Sequence, residues 1–205
     1  MLARRAKVFA LIISLITTTN VLGQTVDQFN SWWYYFGTYH INDKWNGNLL
    51  YSWSRHDFIQ DWQISKLGLS TNRKLTQNLS IGASYEWAIV FPYGELPVPE
   101  KRREHRFLER ISVRDKFQKI TISSVLEIEQ YFSNKDFLHR VRARFGFRFP
   151  LVMNDKGEQK LGMTFFEQVF IDVGDGSPCI GQNRYYGGFD LGVARNATLA
   201  VGYLN

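Results

Sequence analysis

Hydrophobic and polar positions alternate along most of this chain, and the alternation is strictest from Phe137 to Phe149, FLHRVRARFGFRF. One parity carries Phe137, His139, Val141, Ala143, Phe145, Phe147 and Phe149; the other carries Leu138, Arg140, Arg142, Arg144, Gly146 and Arg148. A period of two puts successive side chains on opposite faces of a pleated strand. The run is thirteen residues long, whereas strands of soluble sandwiches usually have about five or six and a tilted strand crosses a bilayer in about nine to eleven. Four arginines in register cannot meet lipid, and the opposite face would aggregate in water unless covered. A barrel with a polar lumen and a lipid-facing skin satisfies both faces. An exposed strand of a large soluble sheet is the plainer alternative.

The same period predicts nine further strands. An aromatic run from Asp27 to Tyr39 comes first, then a turn at Asn42-Asp43-Lys44 and a strand from Trp45 to Arg55 rich in interfacial Trp and Tyr. From about Asp61 to Asn72 the facing is ambiguous, because Ile64 does not share parity with Leu67 and Leu69, which points to a bulge. Asn78 to Val90 alternates cleanly. The prolines of FPYGELPVPEK then impose a long loop. Lys101 to Arg114 follows, with Glu109 interrupting its apolar face and a charged flank, Lys101 to His105, expected to rise above the bilayer. Ile120 to Tyr131, Leu161 to Ile171, and a hairpin of Arg184 to Ala194 with Thr198 to Leu204 complete the series, with Asp172 to Asn183 read as a loop. The fold class is therefore all-β, an antiparallel up-and-down transmembrane β-barrel of ten to twelve strands. Twelve stays open because the last stretch lacks a closing strand ending in an aromatic residue, and because the longer connections follow the even-numbered strands.

The first residues change the picture of location. MLARRAKVFALIISLITTTNVLGQ has a basic start, an apolar stretch from Val8 to Ile16 and small residues near Gly23, the pattern of a secretory signal. Cleavage is expected before Gln24, giving a signal peptide over 1–23 and one barrel domain over 24–205. Removing Arg4, Arg5 and Lys7 takes the formal net charge from +6 to +3. The remaining positive charge lies along strands opposite Glu86, Glu104, Glu109, Glu127 and Glu129, not on a basic helix or tail, so nucleic acid is excluded as a partner. The single cysteine, Cys179, cannot form an internal disulfide and reads as an incidental loop thiol.

Chemistry is sparse. Lumen-facing parity groups Glu127 and Glu129 with Arg140, Arg142 and Arg144, and Glu86, Arg106, Arg110, Gln168, Arg184 and Asp190 can join them. Such a cluster must pair internally, because an unpaired buried charge costs several kcal/mol. The runner-up is a narrow pore or transport-associated barrel selecting small anions, though about ten strands leave little room for a water-filled path. A lipid hydrolase on the outer wall, built from His139 or His105 with Ser112 or Ser124, is the third reading; no G-x-S-x-G elbow supports it. His40, His56, His105 and His139 lack metal-ligand spacing, and Gly174-Asp175-Gly176 lacks the further ligands of a calcium loop. No cofactor and no catalytic residue is expected; outer-membrane lipid is the expected partner, and no protein partner is legible.

In order along the chain, HRVRARFGFRFPL, FFEQVFI, GQNRYYGGFDLGV and the ending VGYLN resemble the outer-membrane family known as domain of unknown function 2490. The resemblance runs from about Gln28 to Asn205, with QNRYYGGFD and GYLN its most specific parts. It implies a barrel in the outer membrane of a Gram-negative cell, and members that continue past the GYLN stretch. It implies no activity and no catalytic residues.

Overall fold

Short polar turns fold the alternating runs back on themselves at one end of the molecule. Asn42 Oδ1 accepts the backbone N–H groups of Lys44 and Trp45 at 3.0 and 2.9 Å, and Thr76 Oγ1 does the same for Asn78 and Leu79 at 3.2 and 3.0 Å. Such side chains imitate a backbone turn. Asn154 Oδ1 holds the N–H groups of Lys156 and Glu158, and Gly157 between them takes φ 75°, which glycine adopts without steric cost. Gln118, with φ 55°, opens the two-residue turn 118–119.

The structure, a computed structural model, describes residues 30–56, 61–92, 101–133, 137–173 and 178–205. The predicted signal peptide, most of the proline loop and Gly174-Asp175-Gly176 lie outside them. Among the described residues there are ten strands: β1 (Ser31–His40), β2 (Trp45–Arg55), β3 (Trp62–Lys74), β4 (Leu79–Val90), β5 (Arg102–Phe117), β6 (Ile120–Ser133), β7 (Phe137–Met153), β8 (Gln159–Val173), β9 (Cys179–Ala194) and β10 (Ala197–Leu204). They form one antiparallel sheet in sequence order. The two longest connections, after β2 and β4, share the end opposite the turns.

The sheet is curled. In a flat sheet β1 and β9, eight strand spacings apart, would be separated by about 38 Å. Instead the Arg184 guanidinium of β9 lies 5.0 Å from the Trp32 ring of β1. That contact also shows which face is concave: the one bearing Trp32 and Arg184. Curling needs tilted strands, and the register supplies the tilt. One lateral row starts at Lys74, the last residue of β3, and passes through Ser80, Ser112, Val125, Arg144 and Gln168 to Arg184, well inside β9. No ladder joins β10 to β1, so among the described residues the wall is a half-barrel with two free edges.

Parity governs burial. Among the described residues the buried hydrophobic side chains are only Ala88, Leu108 and Phe170, whereas Glu86, Glu104, Glu127, Glu129, Arg142 and Asp190 are buried. The convex face carries exposed Trp33, Tyr51, Leu69, Phe107, Ile111, Leu126, Ile128 and Phe189. A register shift lies at the start of the third strand, where Ser54 pairs with Ile64 but Arg55 pairs with Trp62, so Gln63 is extra; it precedes Ile64, and no bulge separates Ile64 from Leu67 and Leu69. Leu67 and Leu69 face outward, and Ile64 shares its parity with the concave Lys66.

One boundary read from sequence is corrected. The stretch from Asp172 to Asn183 is not all loop, because β8 runs through Val173 and β9 begins at Cys179, paired with Asp172. Cys179 is thus an exposed free thiol at a strand end. The charged flank Lys101 to His105 belongs to β5 from Arg102 onward, and Glu104 within it is 0 % exposed.

Close packing on the concave face leaves little space for added volume at Gly82. A Cβ there would lie 2.2 Å from Asn72 Oδ1 and 2.7 Å from the Thr71 carbonyl. The amide oxygen can swing away, but the backbone cannot. Gly82→Val is expected to destabilise the fold by about 1–3 kcal/mol, read as a lower urea midpoint by tryptophan fluorescence.

Candidate functional site

Strands β5, β6 and β7 are neighbours, and their inward positions are mostly charged: Arg102, Glu104, Arg106 and Arg110 on β5, Glu127 and Glu129 on β6, Arg140, Arg142 and Arg144 on β7. Adjacent strands lie about 4.8 Å apart, so these long side chains meet. They form a chain of alternating charge. Arg102 Nε lies 2.8 Å from Glu104 Oε1, and Arg106 bridges Glu104 at 2.5 Å and Glu129 at 3.3 Å. Arg142 bridges Glu129 at 2.6 Å and Glu127 at 3.7 Å, and Arg110 closes on Glu127 at 2.5 Å. Tyr131 donates its hydroxyl to Glu104 at 2.5 Å. The ladder thus alternates four arginines with three glutamates.

Register alone does not assign these partners. Glu129 stands directly opposite Arg140, yet its carboxylate takes the diagonal neighbours Arg106 and Arg142. Arg140 turns to Asp172 on β8, its other direct neighbour, and holds it through two hydrogen bonds. Diagonal positions remain within reach of long side chains. Every glutamate of the ladder has two arginines, and both terminal arginines, Arg102 and Arg110, are partly solvated. This suits the energetics: a buried carboxylate is tolerated when paired and hydrogen-bonded, and removing one partner costs far more than the pair contributes.

Two further ion pairs extend the charged lining. Lys66 on β3 meets Glu86 at 3.1 Å, Arg148 on β7 meets Asp190 at 3.2 Å, and Thr164 donates to the same aspartate. Lys66, Arg102, Glu104, Asp172 and Arg148 are thus members that sequence reasoning did not assign to the cluster. A register for β3 would have revealed Lys66, and a later end to β8 would have revealed Asp172.

The other predicted residues occupy the same face with different surroundings. Phe170, 4 % exposed, is ringed by the guanidiniums of Arg140, Arg142 and Arg184, whose central carbons lie 5.8, 5.7 and 4.7 Å from its ring. Arg184 touches both this ring and Trp32, joining β9 and β8 to β1 across the concavity. Arg144 lies 5.5 Å over Phe166, which stacks on Tyr186. Among the described residues no carboxylate lies within 4.0 Å of Arg144 or Arg184, and Gln168 stands between them in register.

The residues of the hydrolase reading are not brought together. Ser112 faces inward, bonded to Ser80 at 2.7 Å. Ser124 is outward beside Phe145, while His139 pairs with Gln130 six residues farther along β6, about 20 Å away. His139 packs edge-on against Phe137, and His105 meets the Tyr85 hydroxyl at 2.6 Å. Outward Glu167 accepts from Asn183 at 3.1 Å, and Asn183 also reaches the Tyr185 hydroxyl. Among the described residues no group of three or more His, Cys, Asp or Glu side chains is placed to hold a metal ion.

Arg142→Leu leaves Glu127 and Glu129 each with one cation. A loss of about 3–5 kcal/mol is expected, measured as a lower urea midpoint. Arg195→Leu, at a side chain 93 % exposed and 4.0 Å from Glu158, should change stability by less than about 1 kcal/mol.

No curated protein and no solved structure matches the chain. A family model described as protein of unknown function (DUF2490) matches residues 29–205. With that match covering most of its length, and with one sheet spanning nearly the same residues, the chain belongs to the DUF2490 family.

Proposed function

We propose that this chain is an outer-membrane β-barrel protein whose wall faces lipid and whose charged interior maintains the barrel without catalysing a reaction. The observation that carries this reading is the inversion of burial. The concave face buries carboxylates and arginines, while the convex face exposes aromatic and branched aliphatic side chains on all ten strands. In water such a wall would be a contiguous apolar patch of the kind that drives association. In a bilayer it is the ordinary skin of a barrel, and strands of ten to seventeen residues from β1 to β9 are long enough to cross. Trp33, Trp53 and Tyr51 cluster outward near the end that bears the longer connections, where an interfacial aromatic girdle would sit. The predicted signal peptide supplies the route of export.

A narrow anion-selective barrel is the second reading, favoured by Arg144 and Arg184, within 4.0 Å of which no carboxylate lies among the described residues. The protein's task at the outer membrane is, in the first reading, structural or interactive.

Two measurements test the proposal. The mature protein extracted from washed outer membranes should migrate differently on a gel when unboiled and when boiled; recovery from the soluble periplasmic fraction with no shift would contradict the reading. Leu126→Arg, in the middle of outward β6, should cost about 2–4 kcal/mol in lipid vesicles.

A further inference from the structure

Solvent reaches the two halves of the concave face unequally. On β2, β3 and β4 the concave positions in the half nearer the turns include Asn46, Asn48, Ser70, Asn72, Ser80 and Ser84, all short, uncharged and half-buried. They bond sideways to one another and to their neighbours. Thr38 donates to Asn48 Oδ1 at 3.0 Å, Asn48 donates to Ser70 Oγ at 3.0 Å, and the hydroxyls of Ser80 and Ser112 meet at 2.7 Å. On β5 and β7 the same half carries Arg114 and Arg148, both exposed.

The half nearer the longest connections is closed. Ser54, Ala88, Glu104, Leu108, Glu129 and Phe170 all lie there, each 4 % exposed or less. Ser54 Oγ, Arg106 Nε and Glu129 Oε1 in the same half are out of reach of solvent. Among the described residues Asp190 is the only buried side chain on the concave face of the turn-side half.

The free edges of the sheet do not explain this difference. β10 pairs with β9 from Tyr186 to Ala194, so the wall is more complete in the turn-side half, yet the interior there is the more solvated. Side-chain length does explain it. A barrel of about eight strands has an interior that side chains just fill; ten strands enclose more, so serine and asparagine cannot reach across it. Arginine, glutamate, leucine and phenylalanine can. The ladder of Arg106, Glu129 and Arg142 fills one side of the closed half, and Arg184 spans the concavity to Trp32 on β1.

We infer that the barrel is a cup: a water-filled vestibule opens at the turn end, is floored by the layer through Leu108, Glu129 and Phe170, and has no path through to the other end. Its hydroxyl and amide lining both donates and accepts hydrogen bonds, which suits water and small hydrophilic solutes. Outer-membrane barrels keep their short turns on the periplasmic side, so the vestibule faces the periplasm. The inference rests on the barrel reading and opposes its conducting form, because conduction needs a continuous polar path.

The test places single cysteines in a Cys179→Ser background, at Asn48 or Ser84 in the vestibule and at Ser54 or Ala88 in the closed half. Two positions on each side keep the comparison if one variant misfolds. Each protein is purified folded in detergent, verified by its heat-dependent gel shift, and treated with the small neutral reagent hydroxyethyl methanethiosulfonate. Thiol reactivity follows exposure, so Asn48→Cys and Ser84→Cys should react within about tenfold of the exposed wild-type Cys179, and Ser54→Cys and Ala88→Cys about a hundredfold more slowly until the protein is unfolded. Slow reaction at all four positions means an interior packed throughout and overturns the vestibule. Fast reaction at Ser54→Cys and Ala88→Cys means an open lumen and overturns the floor. Vesicles carrying inserted wild-type protein should hold a potassium chloride gradient as long as protein-free vesicles do; faster loss of the gradient also overturns the inference. An absent gel shift in the wild type would defeat the barrel reading itself, whereas a normal shift with equal rates at the four positions defeats the cup alone.

Discussion

Three glutamates on the concave face, Glu104, Glu127 and Glu129, are the groups on which the arrangement of the structure depends. Each is nearly or wholly removed from solvent, and an isolated carboxylate in such a place would shed its charge or unfold its surroundings. Each instead lies between two arginines, so the ladder from Arg102 to Arg110 is continuous across β5, β6 and β7. That continuity restricts the geometry of three strands at once. A register slip of one residue would turn every member of a strand to the opposite face, leaving carboxylates against their own kind or outside among phenylalanines. The charged interior therefore specifies register, the task that a hydrophobic core performs in a soluble sandwich.

The wall and the lining answer different constraints. Outward positions need only be apolar, and their aromatic contacts, such as Phe107 with Phe132 and Phe145 with Phe147, tolerate many arrangements. Inward positions must satisfy hydrogen bonds, and the room is uneven. Glycines such as Gly82 and Gly146, where a Cβ would meet backbone oxygens at 2.7 and 3.0 Å, let side chains from neighbouring strands cross the concavity. Arg184 does so most conspicuously, reaching Trp32 on the far side of the curl.

Period-two alternation made the strands legible before any coordinates, because each side chain of a pleated strand reports its face directly. Ten strands and the inward parity of Arg140, Arg142, Glu127 and Glu129 were accessible in this way. Pairing was not. Parity cannot tell that Glu129 prefers its diagonal neighbours to Arg140, since that choice depends on the competing carboxylate of Asp172, which lay in a stretch read as loop. Glu104 belongs to a flank expected above the bilayer because charges of both parities surround it, and parity could not tell that its side chain is enclosed by Arg102, Arg106 and Tyr131. Lys66 was hidden for a related reason: Ile64, an apolar residue of concave parity, left the facing of β3 undecided against Leu67 and Leu69.

The central claim is that odd and even positions of one strand occupy opposite media. The direct measurement places nitroxide labels singly along β7 from Val141 to Phe149, in a Cys179→Ser background reconstituted in lipid vesicles, and records relaxation by oxygen and by a water-soluble nickel chelate. The account predicts a period of two, with Val141, Ala143, Phe145, Phe147 and Phe149 relaxed by oxygen and shielded from nickel, and the even positions shielded from oxygen. Nickel access at the odd positions equal to that at the even ones would contradict it.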